Sequence, residues 1–262
     1  FSEVNVETPA VAGTADQVDV VVSVVEKNTG SLNFGLGYSQ ADQLTVSASI
    51  SQANVFGSGN QLALQLNNGQ VNQIYSLSFI NPYWTADGVA AGIDVFRRDV
   101  DTESLSVASY QTTSTGIGVN FGIPITEYDT IRLGFTAENT DLTLDPFGAP
   151  PRYLDFVNTF GESTDTFRTN IAYARDSRDS LTYPTRGWLT EVALEVGLPP
   201  GDLQYYRASF VQQFLWTPAA VPWLTFLLNG ELGYADGLGD KPLPFFKNFY
   251  AGGVGSVRGF ET

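Results

Sequence analysis

The sequence contains no cysteine, no histidine and no methionine. Without cysteine there is no disulfide, no thiolate nucleophile and no thiolate-bound metal. Without histidine the usual general base and the commonest metal ligand are gone. The lack of methionine, with Phe1 at the start, reads as a chain processed or cut from a longer product. Charged residues make up only 16% of the 262 residues, below the usual quarter. Thirteen basic against 28 acidic residues give a net charge of −15, which disfavours a nucleic-acid partner because phosphate binding needs a basic patch. No run of about 18 apolar residues exists, so no transmembrane helix is expected; a membrane crossed by strands is not excluded.

What is present favours strands and turns. Hydrophobic residues reach 43%, with 12 Tyr, 18 Phe and 26 Gly. Residues 1–27 read as a separate piece: an alternating strand over Phe1–Glu7, a turn from Pro9 to Ala15, and a second strand over Asp16–Glu26. Two strands alone cannot hold a core, so this piece is expected to be the end of a domain. Asn28, Thr29 and Gly30 mark the boundary to residues 28–262.

From Ser31 onward apolar and polar residues alternate, the period of a strand with two different faces. Leu32, Phe34, Leu36 and Tyr38 alternate with Asn33, Gly35 and Gly37. Ile117, Val119, Phe121 and Ile123 alternate with glycines and Asn120. Val192, Leu194 and Val196 oppose Glu191 and Glu195. In all, about eleven such strands are expected, none interrupted by a helical pattern.

A soluble sandwich also alternates, but two features favour a membrane barrel. Arg132, Arg168, Arg207, Glu191 and Glu195 stand in mid-strand on the polar face, which suits a wet lumen. Short connections (54–60, 81–88, 124–130, 183–187 and 217–222) alternate with long ones (97–112, 140–165 and 235 onward), as outer-membrane barrels show. Phe56, Tyr83, Trp84, Tyr128, Tyr183, Trp188, Trp216 and Trp223 gather at the short-turn rim and read as an interfacial girdle. Eleven is an odd number and single-chain bacterial barrels use even ones, so the barrel is expected to be unclosed.

The segment Phe249–Phe260 concentrates the unusual chemistry. Gly252, Gly253, Gly255 and Gly259 surround a single cation, Arg258. It reads either as a tightly folded loop delivering that arginine to one place or as a flexible glycine loop. No catalytic constellation stands out. Gly116, Gly118 and Gly122 misplace the third glycine of a dinucleotide fingerprint, and no helix follows. Arg175, Asp176, Arg178 and Asp179 read as a salt-bridged strand end, because adjacent arginines keep both carboxylates ionised. Glu231, Asp236 and Asp240 match no calcium-loop spacing. We expect no enzyme and no cofactor.

Several motifs together resemble the BamA family of outer-membrane β-barrel assembly proteins, over essentially the whole chain. They are the turns Asn81-Pro-Tyr-Trp-Thr-Ala-Asp-Gly88, Gly122-Ile-Pro-Ile-Thr-Glu-Tyr128 and Tyr183-Pro-Thr-Arg-Gly187, and the loop from Asp236 through Lys241-Pro-Leu-Pro-Phe-Phe-Lys-Asn-Phe-Tyr250 to Val257, Arg258, Gly259 and Phe260. The resemblance implies an all-β antiparallel transmembrane barrel, of which this chain holds about eleven of sixteen strands and stops in the sixth extracellular loop. It implies that residues 1–27 end the last periplasmic POTRA domain. It implies that Arg258 folds into the lumen and meets carboxylates on strands that lie beyond Thr262.

The resemblance further implies that the first barrel strand, Leu32, Asn33, Phe34, Gly35, Leu36, Gly37 and Tyr38, borders a lateral gate. A client's terminal strand would add to that edge by main-chain hydrogen bonds, with free energy from closing backbone bonds in lipid. The implied partners are unfolded β-barrel clients, accessory lipoproteins, lipid and lipopolysaccharide, in the outer membrane with the N-terminal residues in the periplasm. A related protein-export pore shares the loop signature; a diffusion porin and a soluble sandwich are further alternatives.

Overall fold

The computed structural model describes residues 2–13, 16–39, 43–102, 110–145 and 148–249. Near the N-terminus, β1 (Glu3–Glu7) and β2 (Val21–Val25) pair antiparallel, from Glu3 opposite Val25 to Glu7 opposite Val21, and form a two-stranded sheet of their own.

The remaining strands make one eleven-stranded antiparallel sheet, as the alternation predicts. In chain order they are β3 (Gly30–Ser39), β4 (Gln43–Ala53), β5 (Gln61–Asn68), β6 (Asn72–Asn81), β7 (Ala90–Asp101), β8 (Tyr110–Pro124), β9 (Asp129–Leu144), β10 (Ser163–Asp176), β11 (Gly187–Leu198), β12 (Tyr205–Trp216) and β13 (Phe226–Gly237). Each pairs with its sequence neighbour, and the order runs from β13 to β3 without a crossover. Among the described residues the sheet is open, with β3 at one edge and β13 at the other.

The faces are inverted relative to a soluble protein. Large apolar side chains point outward on nearly every strand: Phe34 is 76% exposed, and Leu62, Ile93, Val119, Phe135, Ile171, Val192 and Leu232 are exposed as well. The opposite face carries Ser, Thr, Asn, Gln and the charged residues, several of them buried, including Thr136, Glu138, Thr140 and Thr166. That is the pattern of a barrel wall with lipid outside and a polar lumen inside. All eight aromatics expected at the short-turn rim are exposed.

Three sequence-based expectations need correction. First, the segment between β9 and β10 is not helix-free: α1 (Pro151–Phe160) lies there. Proline at its first position is pre-set for a helix, Tyr153, Phe156, Val157 and Phe160 recur at helical spacing, and Gly161, at φ 88°, ends it with its N–H on Val157 O. Second, connection lengths do not strictly alternate. On the rim opposite the short turns, β5 and β6 are joined by residues 69–71 alone, with Gly69 N–H on Asn72 O and Val71 buried. Third, β8 and β9 run for 15 and 16 residues, beyond the roughly 9–11 needed to cross a bilayer. Their far ends therefore rise past the hydrocarbon at the long-loop rim.

At that rim lies the one buried apolar cluster among the described residues. Tyr110 of β8, Leu142 of β9, Tyr153 and Phe156 of α1, Leu203, Tyr205 of β12, and Phe245 from the segment after β13 pack together. A barrel has no core in its membrane section, so its loops must build one, and here they build it over the lumen.

Candidate functional site

The first candidate region is β3. It pairs with β4 along its whole length, from Gly30 opposite Gln52 to Ser39 opposite Gln43, and with nothing on its other side among the described residues. Its outward residues Leu32, Phe34, Leu36 and Tyr38 are all strongly exposed. Its lumen-facing links to β4 are light: Ser31 and Ser51 hydroxyls lie 2.7 Å apart, and Asn33 Nδ2 donates to Ser49 Oγ at 3.3 Å. The two glycines differ. A Cβ on Gly35 would lie 2.5 Å from Ser47 Oγ, so Gly35 makes room for its neighbour. A Cβ on Gly37 would meet only Thr45 Cβ, at 4.0 Å. Gly37 is therefore not required by packing; it leaves open space in a cavity of about 360 Å³ shared with Thr45, Ser47, Gln65 and Asn67.

The second region is the dock for the chain after β13. Residues Val257, Arg258, Gly259 and Phe260 lie outside the described residues, so the expectation about Arg258's partners stays with them. The described part, up to Phe249, already lies against the lumen wall. Lys241 Nζ donates to Asp202 O at 3.0 Å. Phe245 stacks on Tyr153 with ring centres 3.9 Å apart and meets Tyr110 edge-on at 5.0 Å. Phe249 lies under the Arg207 guanidinium, 4.1 Å from ring centre to Cζ, and over Gly233 of β13. A Cβ on Gly233 would come within 2.6 Å of that ring, so glycine lets the Phe249 ring approach the strand this closely.

Between these two aromatic anchors stands an ionic ring that sequence reasoning missed. Arg168 of β10 donates from Nε to Glu138 Oε2 of β9 (3.2 Å) and from Nη1 to Glu195 Oε2 of β11 (3.3 Å). Lys247 closes the ring, 3.2 Å from Glu138 Oε1 and 3.6 Å from Glu195 Oε1. Tyr205 donates its hydroxyl to Glu195. The ring borders a cavity of about 290 Å³, lined also by Arg98, Ser114, Arg207 and Asn248. Arg168, Arg207 and Glu195 were legible as lumen-facing charges. Lys247 was not, because nothing in a run of Phe, Lys and Asn states what the lysine meets.

Elsewhere the expected charges separate into local pairs. Arg132 meets Glu191 at 2.6 Å. Of the strand end read as salt-bridged, Arg178 does pair with Asp176 (2.7 Å), and Arg175 reaches Asp129 (3.3 Å). Asp179 departs from that reading. It sits in the turn 177–186 and accepts from Thr185 Oγ1 (2.6 Å) and from the N–H groups of Thr185 (2.8 Å) and Arg186 (3.1 Å). Those hydrogen bonds, the Thr185 hydroxyl foremost, hold its carboxyl down at about 2.

The lipid-facing apolar exterior and polar lumen define a transmembrane β-barrel, with the segment after β13 folded onto its inner wall as far as Phe249. The chain belongs to the Omp85 superfamily, whose domain model matches residues 54–262. It is 39% identical to the outer membrane protein assembly factor BamA of Neisseria meningitidis serogroup B, over all of this chain and 34% of that protein. It is 29% identical to the protein of the same name from Nitratidesulfovibrio vulgaris, over all of this chain and 32% of that one. The chain thus spans about a third of the length of these curated relatives. Among solved structures it superposes on BamA from Haemophilus ducreyi lacking POTRA domains 1–3. The TM-score is 0.86 at 27% identity, covering 99% of this chain and 51% of that one.

Proposed function

We propose that the protein acts in the bacterial outer membrane as an insertase for β-barrel proteins, with β3 as one border of a lateral gate. The observation that carries this reading is the β3 edge, hydrogen-bonded on one side only among the described residues, with Gly37 unfilled on its lumen face. Such an edge offers a row of N–H and C=O groups that templates another strand. Main-chain bonds supply the affinity, so one edge serves many client sequences. The driving force is the client's own closure, since an unpaired backbone group in lipid is strongly unfavourable. Assembly-factor relatives along the whole chain support the same reading.

In this reading residues 1–27 complete the last POTRA domain in the periplasm, and the signature Val257–Phe260 enters the lumen from outside. Clients, accessory lipoproteins, lipid and lipopolysaccharide are the partners, and the work needs no cofactor. Cysteines placed singly at 32–38 and along a client's terminal strand test it. Disulfides are expected in one register while insertion proceeds. Their absence at every register in active protein would overturn the proposal.

A further inference from the structure

We infer that Lys247 is the positioning residue for the segment that follows β13, and that the wall of β9–β11 is a receptor built for its ammonium group. Wall residues alone make three sides of the ionic ring. Arg168 holds one oxygen of each carboxylate, Glu138 Oε2 and Glu195 Oε2, and leaves both Oε1 atoms to other partners, Glu195 Oε1 also accepting the Tyr205 hydroxyl. Lys247 Nζ lies between those two atoms, at 3.2 and 3.6 Å.

Charge counting gives the reason. In direct contact the wall contributes two carboxylates and the Arg168 guanidinium, and Lys247 brings that ring to two of each sign, in alternation; Arg98 and Arg207 line the same cavity outside the ring. Without Lys247, Glu138, whose side chain is 6% exposed, shares the Arg168 guanidinium with Glu195. A shielded carboxylate with half a partner is the costly case. An ammonium suits this place because it is compact and has three donors. One donates to Glu138 Oε1, Glu195 Oε1 lies at ion-pair distance, and the group also lies 5.5 Å from the centre of the Tyr205 ring.

Packing alone does not specify this position. Phe245 and Phe249 anchor the segment on either side, but apolar contacts are non-directional. Lys247 is the only charged residue between Pro242 and Phe249, so between the Lys241 bond to Asp202 and the Phe249 contact with Arg207 it supplies the charged tie that fixes the register of the segment on the wall. The signature at Val257 follows ten residues on (247 to 257), and Lys247 sets its point of departure. This inference rests on lumen geometry and stands apart from the gate reading, so its test measures loop position rather than client insertion.

The test uses the full-length protein in liposomes. Cysteines at Asn248→Cys and Ser114→Cys, which border the same cavity, are joined by a short thiol-reactive cross-linker, and the rate is measured. These 262 residues add no competing thiol. Lys247→Arg is expected to hold the parent rate to within about threefold, and Lys247→Met to lower it about tenfold, the size of effect typical of coupled contacts. Lys247→Glu is expected to lower it further, and Lys247→Glu with Glu138→Lys to recover most of the loss. Parent-like rates in both Lys247→Met and Lys247→Glu would overturn the inference. So would a swapped pair no faster than the product of its single variants, because a merely structural lysine gives no rescue by charge reversal. Heat-modifiable gel mobility reports folding of each variant. Should a charge-reversed variant not fold, Lys247→Met and Glu138→Gln are combined instead. A double variant no slower than Lys247→Met supports the pairing, and fully multiplied losses refute it.

Discussion

The two ends of the sheet's first nine strands are held together by different means. At β3 and β4 the lumen face is serine, asparagine and glycine, joined by neutral hydroxyl and amide contacts. At β9–β11 the same face is threaded by charge-assisted bonds that cross three strands and reach a fourth segment. Neutral hydrogen bonds contribute about 1 kcal/mol net, and bonds to charged groups roughly twice that. The backbone ladder is present in both regions, so the side chains make the difference. The β9–β11 wall is a fixed frame; β3 is an edge with little beyond its ladder to hold it in one arrangement.

The comparison can be broken most severely at the frame. Phe245→Ala removes a buried ring from the cluster over the lumen and is expected to cost about 3–5 kcal/mol, as large aromatic truncations do. Denaturant unfolding in liposomes measures it; a loss under about 1 kcal/mol would show that the cluster contributes little. Glu138→Gln leaves Lys247 and Arg168 sharing Glu195 alone. About 2–4 kcal/mol is expected by the same assay, towards the lower part of what breaking a buried pair costs, because Lys247 and Arg168 keep some contact with solvent.

Effects at the edge are smaller and differ between neighbours. Gly35→Val pushes against Ser47 Oγ and is expected to cost about 1–3 kcal/mol, the range for overpacking. Adding Ser47→Gly should recover much of that loss. Gly37→Val meets open space and should leave stability unchanged or raise it by about 0.5–1 kcal/mol, since glycine weakens a strand. If β3 is the gate, the same change slows client insertion in a reconstituted assay; equal effects of both valines on stability would erase the distinction drawn between the glycines.

The smallest effect is local, in the turn after β10. Asp179 ionises in the folded turn at about 2, below its ordinary 3.8. A depressed carboxyl stabilises above the unfolded value and loses that contribution as pH falls through the folded one. The turn should therefore loosen between about pH 4 and pH 2. Amide exchange at Thr185 and Arg186, corrected for its intrinsic pH dependence, should accelerate there, and Asp179→Asn should abolish the acceleration.

How far the sequence could be read follows from the range of each interaction. The strands were legible because alternation such as that of Leu32, Phe34, Leu36 and Tyr38 is written into adjacent residues, and lipid outside with water inside leaves no other way to satisfy both faces. α1 was legible in principle: Tyr153, Phe156, Val157 and Phe160 carry the spacing, but the window sits where the barrel pattern leads one to read loop. The ionic ring was not legible, because Lys247 and Glu138 are 109 residues apart and each is unremarkable in its own segment. The two roles of Gly35 and Gly37 were hidden for a related reason. What separates them is whether Ser47, on the neighbouring strand, turns its hydroxyl towards the position.

That separation of 109 residues also orders events in time. Contacts between neighbouring strands close short loops; the contact between Lys247 and Glu138 must wait until β10 to β13 are in place, and far-separated contacts form slowly. Until then the two carboxylates of the wall share the Arg168 guanidinium. The dock thus closes after β9 to β13 as the protein itself matures, and pulse labelling of a cysteine at Asn248 during refolding should find it accessible after these strands are already protected.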